Sequence, residues 1–323
     1  MRKTIVETLK NAGDNFTSGE SIAGALGISR TAVWKHIQKL RESGYEILSH
    51  ARRGYKLKDA PDLLLPGEIQ IGLDTEIIGK EMNYYPSVDS TNRVAKALAY
   101  HEAQEGTIVV AEEQTGGKGR LERKFFSPRG KGIWFSVILR PNFLPREAPK
   151  CTLMAAVAVA EAMNRFKLKA EIKWPNDILF DNRKLVGILT EITGEFARIN
   201  YLVIGIGINV NISRDEFPEE LRPIAASLSE MNGEKISRVQ FFRAVLEEFD
   251  KLYRQVKTSG FDKTLELWKK YNVTLGKNIR VISAIDDGET FTGKAVDLNA
   301  DGALVVETEQ GLRAVYAGDV SIR

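Results

Sequence analysis

The sequence predicts a multidomain α+β protein, with a basic helical module first, a mixed-sheet α/β body second and a small β-barrel last. Three observations predict it. Length is the first, because 323 residues exceed one ordinary core and imply two or three domains. Charge is the second. Residues 1–60 hold 11 Lys/Arg against 6 Asp/Glu, whereas the other 35 Lys/Arg and 37 Asp/Glu nearly cancel. The third is a change of text near residue 273, where short β-type runs alternate with Asp-Gly and Gln-Gly turns.

The amino-terminal module reads as three helices and a hairpin. Ile5, Val6 and Leu9 give residues 2–12 an apolar face. Phe16-Thr17-Ser18-Gly19-Glu20 offers a cap and a first-turn acid for a helix that runs through Ile22 to Leu26 and stops at Gly27. Ser29 caps the next helix, Arg30 to Ser43, whose Val33, Ile37 and Leu40 keep helical spacing before Gly44. Two strands, Tyr45–Ser49 and Gly54–Leu57, follow around His50-Ala51-Arg52-Arg53. Together these elements make a winged helix–turn–helix, and its net charge of +5 points to a polyanion.

The expected domains are 1–60, a linker at 61–67, a central domain at 68–271 and a barrel at 272–323. DAPDLLLPG, at 59–67, breaks periodicity with two prolines and a glycine. In the centre, Ile108–Glu112, Gly132–Leu139, Ile172–Trp174, Leu185–Ile192 and Tyr201–Val210 read as strands. Pro149–Phe166, Ser237–Lys257 and Phe261–Tyr271 read as helices. The last 51 residues read as strands Ile279–Ala284, Thr290–Leu298, Ala303–Glu307 and Leu312–Tyr316, with turns at Asp287-Gly288, Asp301-Gly302 and Gln310-Gly311.

Composition excludes several classes. A single cysteine, Cys151, rules out an internal disulfide framework and reads as a core residue beside an apolar run. Three histidines, His36, His50 and His101, form no zinc-type spacing. No secretory signal opens the chain, and the longest apolar run, Thr152–Ala160, is too short for a bilayer span. A cytoplasmic location, with no membrane partner, is the expectation.

Four constellations can carry chemistry. Gly116-Gly117-Lys118-Gly119-Arg120, continuing to Arg123 and Lys124, suits an anion, though it is no Walker motif. A solvated basic loop is the plainer alternative. Asp89-Ser90-Thr91-Asn92 precedes the helical stretch Arg93–Tyr100, where small polar side chains bond a ligand or simply cap the helix. Residues 171–193 form a hairpin with an unusual Trp174-Pro175-Asn176-Asp177 corner and the pair Arg183-Lys184 after an Asp181-Asn182 turn. There a lysine can stabilise charge developing on oxygen, and Asp177 can orient it, hold a metal or act as a weak base. Finally, Gly205-Ile206-Gly207-Ile208-Asn209-Val210 ends a buried strand where another group approaches closely.

Taken in order, STN (90–92), GGKGR (116–120), KWPND (173–177), RKLVGIL (183–189) and GIGINV (205–210) resemble the biotin–protein ligase family. The resemblance spans the whole chain and extends to its bifunctional, biotin-operon-repressing members. It implies a central domain of the biotin/lipoate ligase type and an SH3-like carboxy-terminal barrel. It also implies a two-step reaction, from biotin and ATP with Mg2+ to biotinyl-adenylate, then to a lysine of a carboxyl-carrier domain. By resemblance, Ser90, Thr91, Asn92 and Gln114 would meet biotin, with Gly117, Lys118, Gly119 and Arg120 in a covering loop. Lys184, Arg120 and Asp177 would be catalytic, Lys184 also touching biotin. Arg123, Phe125, Asn176, Gly187 and Asn209 would lie nearer the nucleotide. Metal ligands stay unassigned.

The loop departs from the family's usual Gly-Arg-Gly-Arg-x-Gly-Arg then Lys-Trp: Lys118 replaces an Arg, Glu122 a Gly and Phe125 the Trp. Lysine keeps the charge without the bidentate fork, and phenylalanine keeps an aromatic face. Ser29, Arg30, Thr31, Trp34, Lys35, His36 and Lys39, with Arg52 and Arg53 on the wing, would face operator DNA. The family also implies a homodimer when biotinyl-adenylate is bound. Two alternatives stay open: a lipoate or octanoate ligase of the same superfamily, and a biotin-sensing transcription factor without catalysis.

Overall fold

A computed structural model describes residues 1–195, 198–283 and 289–322 of the chain. They form two compact units, Met1–Gly72 and Leu73–Arg323.

The first unit contains α1 (Arg2–Asn11), α2 (Gly19–Leu26), α3 (Arg30–Glu42), β1 (Glu46–His50), β2 (Gly54–Asp59) and α4 (Pro66–Gln70). Its core gathers Ile5, Leu9, Ile22, Val33, Ile37 and Ile47, the apolar faces that the helical spacing implied. Both caps form: Ser18 accepts from the Ser21 amide at 3.0 Å and Ser29 from the Ala32 amide at 3.2 Å. Gly27 ends α2 with φ 63°, the left-handed conformation that glycine adopts freely. A side chain at Gly54, also at positive φ, would run into the Thr17 backbone.

Residues 61–67, expected as a linker, fold instead with this unit, which closes at Gly72 and not at residue 60. Leu64 and Ile69 are fully buried, and the Glu68 carboxylate accepts hydrogen bonds from Tyr45 and Lys10. The prolines interrupt periodicity, but the apolar residues between them still bury their surface.

The second unit opens with β3 (Met82–Tyr85), α5 (Thr91–Tyr100), β4 (Ile108–Ala111), β5 (Gly132–Leu139) and α6 (Ala148–Arg165). It continues through β6 (Glu171–Lys173), β7 (Asp177–Phe180), β8 (Arg183–Glu195), β9 (Arg198–Asn209), α7 (Leu228–Asn232), α8 (Arg238–Ser259) and α9 (Asp262–Tyr271). The sheet order is β3-β4-β5-β9-β8-β7-β6. β3 runs parallel to β4 and the other neighbours are antiparallel, giving the expected mixed sheet.

Strand alternation sorts the two faces. On one, Val109, Ile138 and Val203 pack under α5 through Ala95 and Ala99. On the other, Phe135 meets Phe242 of α8, and Thr190 bonds Thr152 of α6 at 2.7 Å. β5 is therefore buried along its whole length. Gly187, Gly205 and Gly207 fall on the α5 face, where their missing side chains open a trough.

The carboxy-terminal strands are β10 (Asn278–Ser283), β11 (Thr290–Leu298), β12 (Leu304–Thr308), β13 (Gly311–Val315) and β14 (Gly318–Ile322), in order β13-β12-β11-β10-β14. β3 and β14 are strands that periodicity did not reveal; each is short and gains its definition from a neighbour. Ala284 and the Asp287-Gly288 turn lie outside the described residues.

Candidate functional site

Two adjoining cavities open over the glycine trough. Ser90, Thr91 and Gln114 wall the first above Gly187, Gly205 and Gly207. Arg120, Arg123, Asp177 and Asn209 border the second, with Phe217 and Ala225. Phe125, Lys184, Asn176 and Gly119 border both, so they stand at the junction.

A polar network fixes the first cavity. Gln114 Oε1 accepts from the Thr91 amide at 2.8 Å and from its hydroxyl at 3.0 Å, while Gln114 Nε2 donates to Ser127 at 3.1 Å. Beneath them, buried Ser136 donates to Asn92 Oδ1 at 2.6 Å and lies 2.8 Å from Thr91 Oγ1. Asn92 donates to Glu191 at 2.8 Å, and Lys96 pairs with the same carboxylate at 2.6 Å. Asn92 thus braces the wall. Ser90 opens α5 without a capping bond from its side chain.

The glycine–basic loop folds back on itself. Phe125 N donates to Gly117 O at 2.9 Å, and Gly119 N donates to Arg123 O at 2.8 Å. A Cβ at Gly117 would approach Phe125 O to 2.7 Å, so only glycine fits there. Gly117 supports the loop from behind and does not border either cavity. Leu121 and Glu122 carry φ of 54° and 56°. Glycine in place of Glu122 would relieve the second, a physical reason for the family's usual residue. Here Glu122 instead pairs with Lys118, and Arg123 pairs with Asp319 of β14 at 2.7 Å.

At the junction, Lys184 Nζ lies 2.6 Å from Asp177 Oδ1 and 5.7 Å from the Phe125 ring centroid. Register explains the meeting: Asp177 lies opposite Gly187, so the lysine side chain folds over an open backbone. The Lys184 main chain is clamped by Ile224 O at 2.8 Å and the Ala226 amide at 3.0 Å. Asn209 Nδ2 donates to Ala226 O at 3.0 Å, and Asn176 Nδ2 to Ile188 O at 2.8 Å. Both asparagines brace main chain beside the cavities. Arg120 Nη1 is buried without a hydrogen-bond partner, and burial lowers the guanidinium pKa against the opposing pull of Asp319 and Asp177. An anion in the second cavity would satisfy that nitrogen.

The structure therefore brings most of the small-molecule candidates to the two cavities, Gly117 excepted. Arg120, expected to be catalytic and to meet biotin, borders only the second cavity, and Gly187, expected nearer the nucleotide, lines the first. Ser127, Ser136 and Glu191 were missed, because each is an isolated polar residue whose partners lie far away in sequence. Among the described residues, no three His, Cys, Asp or Glu cluster to hold a metal ion.

In the first unit, α3 presents Arg30, Thr31, Lys35 and Lys39 as exposed residues, with Trp34 51% exposed and His36 half-buried. Ser29 is occupied as the cap. Arg41 donates to Ile47 O and to Ser49 Oγ, both at 2.6 Å, fastening the wing to the helix. On the wing Arg52 is exposed, and the Arg53 guanidinium lies 4.4 Å from the Phe16 ring centroid.

Three family models match in the order of these modules: an HTH domain at 2–56, the biotin/lipoate A/B protein ligase family at 84–209 and the biotin protein ligase C-terminal domain at 274–323. The bifunctional ligase/repressor BirA of Bacillus spizizenii is 44% identical over 323 residues, covering all of this chain and 98% of the relative. The chain belongs to the biotin protein ligase family. The Escherichia coli bifunctional ligase/repressor is 31% identical, covering 97% of this chain and 94% of the relative. Among solved structures, the Aquifex aeolicus biotin protein ligase in complex with biotin and ATP superposes with a TM-score of 0.65 at 30% identity. That match covers 76% of this chain and 99% of the other.

Proposed function

We propose that the chain is an ATP-dependent biotin–protein ligase and a biotin-responsive transcriptional repressor. One observation carries the catalytic half: Lys184, paired with Asp177, stands where a polar-walled cavity opens into a cation-bordered one. In the first step a biotin carboxylate oxygen attacks the α-phosphorus of ATP. The bond to the pyrophosphate oxygen breaks, leaving biotinyl-adenylate. In the second, a carrier lysine amine attacks the acyl carbon, AMP leaves, and the amine proton is released.

The residues divide these tasks. Ser90, Thr91 and Gln114 offer donors and acceptors for the ureido ring, and the apolar acyl chain crosses the glycine trough. Lys184 stabilises the carboxylate and the charge gathering on the α-phosphate. Arg120 adds a half-buried guanidinium on the nucleotide side. As Lys184 turns toward phosphate, Asp177 is released to orient the incoming amine. Phe125 stands at the junction and borders both cavities. Magnesium arrives with ATP, held mostly by phosphate oxygens and water.

Labelling of a carboxyl-carrier domain with biotin and ATP tests the ligase. Biotin on the acceptor lysine is expected; its absence, or equal labelling by lipoate, would overturn the assignment. For the repressor, exposed Arg30, Thr31, Trp34, Lys35 and Lys39 on α3 suit the major groove, and Arg52 on the wing suits backbone phosphate. Biotinyl-adenylate favours a homodimer, which spaces two such helices on operator DNA. Biotin plus ATP should tighten operator binding in a gel shift, with dimer formation followed by sedimentation. DNA affinity that ignores both ligands would remove the regulatory half. No helix among the described residues is long and apolar enough to cross a membrane, and we place the protein in the cytoplasm with its carrier substrate.

A further inference from the structure

The glycine–basic loop leaves the sheet after Glu112 and returns at Gly132. Regular pairing between β4 and β5 ends at Ala111↔Trp134, and beyond it the backbone joins the two stems through the Gln114↔Ser127 bridge. A buried guanidinium adds a side-chain tie at the root. Arg238, the first residue of α8 and 1% exposed, donates from Nη1 to Glu112 Oε2 at 2.8 Å and to Gly132 O at 3.0 Å. One side chain from outside the cavities thus ties the outgoing stem to the returning stem. Gly130 N adds a backbone bond to Glu112 O at 3.1 Å.

The same knot reaches the other wall of the second cavity. Asn211, just past β9, donates its amide N–H to Lys131 O at 2.7 Å. Its side chain donates to Ile236 O at 2.8 Å and accepts from Ile236 N at 3.0 Å. Lys131 in turn pairs with Glu216 at 2.6 Å, on the segment that leads to Phe217 and Ala225. The loop root, the start of α8 and the segment lining the second cavity are therefore one hydrogen-bonded cluster.

We propose that Arg238 is a positioning residue, setting the loop over the substrates and fixing its root against the 211–226 segment. The proposal rests on the reading above, in which the loop holding Gly117, Lys118, Gly119 and Arg120 covers biotin. An ion pair kept only for stability would leave substrate retention untouched, because buried pairs often add little that apolar residues could not replace. A positioning pair instead alters how long the intermediate stays bound, since a small displacement of a covering loop changes orientation and water access.

The test uses the full chain with Arg238→Gln, Arg238→Lys and Glu112→Gln. Loss of preformed biotinyl-adenylate should quicken on the order of tenfold in Arg238→Gln, and the biotin KM should rise similarly, with kcat at saturation much less affected. Trypsin, which cuts after Arg120, Arg123 and Lys124, should cleave the ligand-bound variant faster than the ligand-bound native chain. Arg238→Lys should lie between the two, since it keeps the charge and loses the fork. Native retention and native cleavage in folded Arg238→Gln would overturn the proposal. If that variant does not fold, the surface variants Lys131→Ala and Glu216→Gln decide. Each should speed adenylate loss, and the double variant should add nothing to either single one. Native retention in both single variants, or simple addition in the double, would overturn it. A native chain that forms adenylate but does not retain it would instead sink the covering-loop reading itself.

Discussion

Gly187 and Gly207 lie opposite one another in the β8–β9 register, and the Phe125 ring rests over the pair. A Cβ at Gly207 would stand 2.5 Å from Phe125 Cε1, and one at Gly187 2.8 Å from Phe125 Cε2. The trough exists because two strands place glycines on the same rung.

Gly207→Ala should therefore displace Phe125 and narrow the junction. Alanine suits a strand backbone, so stability should change by only about 1 kcal/mol. Biotin affinity should fall at least about tenfold, as overpacking disturbs the cavity floor. Calorimetric titration of biotin checks this; native affinity would mean that the ring and floor yield without cost.

Lys184 and Asp177 should separate into two kinetic roles. Lys184→Ala should lower biotin-dependent pyrophosphate release by roughly a hundredfold or more, the scale of losing one preorganised stabiliser. Asp177→Asn should form adenylate while transferring it slowly to the carrier lysine. Rapid-quench measurement of each step distinguishes them. Equal losses in both steps for both variants would argue that the pair acts only as a unit.

The Trp-Pro-Asn-Asp corner shows how far the sequence could be read. Its residues drew attention together, yet the structure separates their tasks. Asp177 faces Lys184, Asn176 braces the Ile188 carbonyl, and Trp174 is buried and donates its indole N–H to Gly302 O at 3.3 Å. Trp174 thus mounts the carboxy-terminal strands, aided by Lys150, which donates to Ala300 O at 3.0 Å. No periodicity contains that information, because the partners lie over a hundred residues away. The long strands and helices were legible from local pattern, and the order of motifs was legible from the cavity-facing residues. The supports Ser136 and Glu191 were not, since their roles arise only when strands align. Trp174→Phe should keep the packing and lose the bond, at about 1 kcal/mol. Hydrogen exchange of β10–β14 amides should rise; unchanged protection would separate the mount from that contact.

Glu216 supplies a pH test of the loop root. Hydrogen bonds from Lys131 and from Ser213 hold its carboxyl down to about 2, against an ordinary 4.5. A depressed folded value means that the tie is complete above the ordinary value and is lost as pH falls toward about 2. Carboxyl-detected NMR at about pH 4, where free glutamates are near half protonation, should find Glu216 ionised. Lys131→Ala should move its titration upward, and no movement would assign the depression to Ser213 alone.

Salt dependence tests the other unit. Lys35 and Lys39 are exposed along α3, whereas Arg53 lies against Phe16 on the wing. A lysine that meets a phosphate releases a counterion on binding, and its loss should flatten the log K against log salt slope by about 0.9. Lys35→Ala should weaken operator and unrelated DNA nearly alike if it meets phosphate. Trp34 stands one residue earlier and is 51% exposed, so it offers apolar surface to base edges. Trp34→Ala should therefore cost operator affinity more than non-specific affinity and leave the salt slope in place. Fluorescence anisotropy on both DNAs across a salt series separates the roles. A slope change for Trp34→Ala, with none for Lys35→Ala, would reverse which residue meets the backbone.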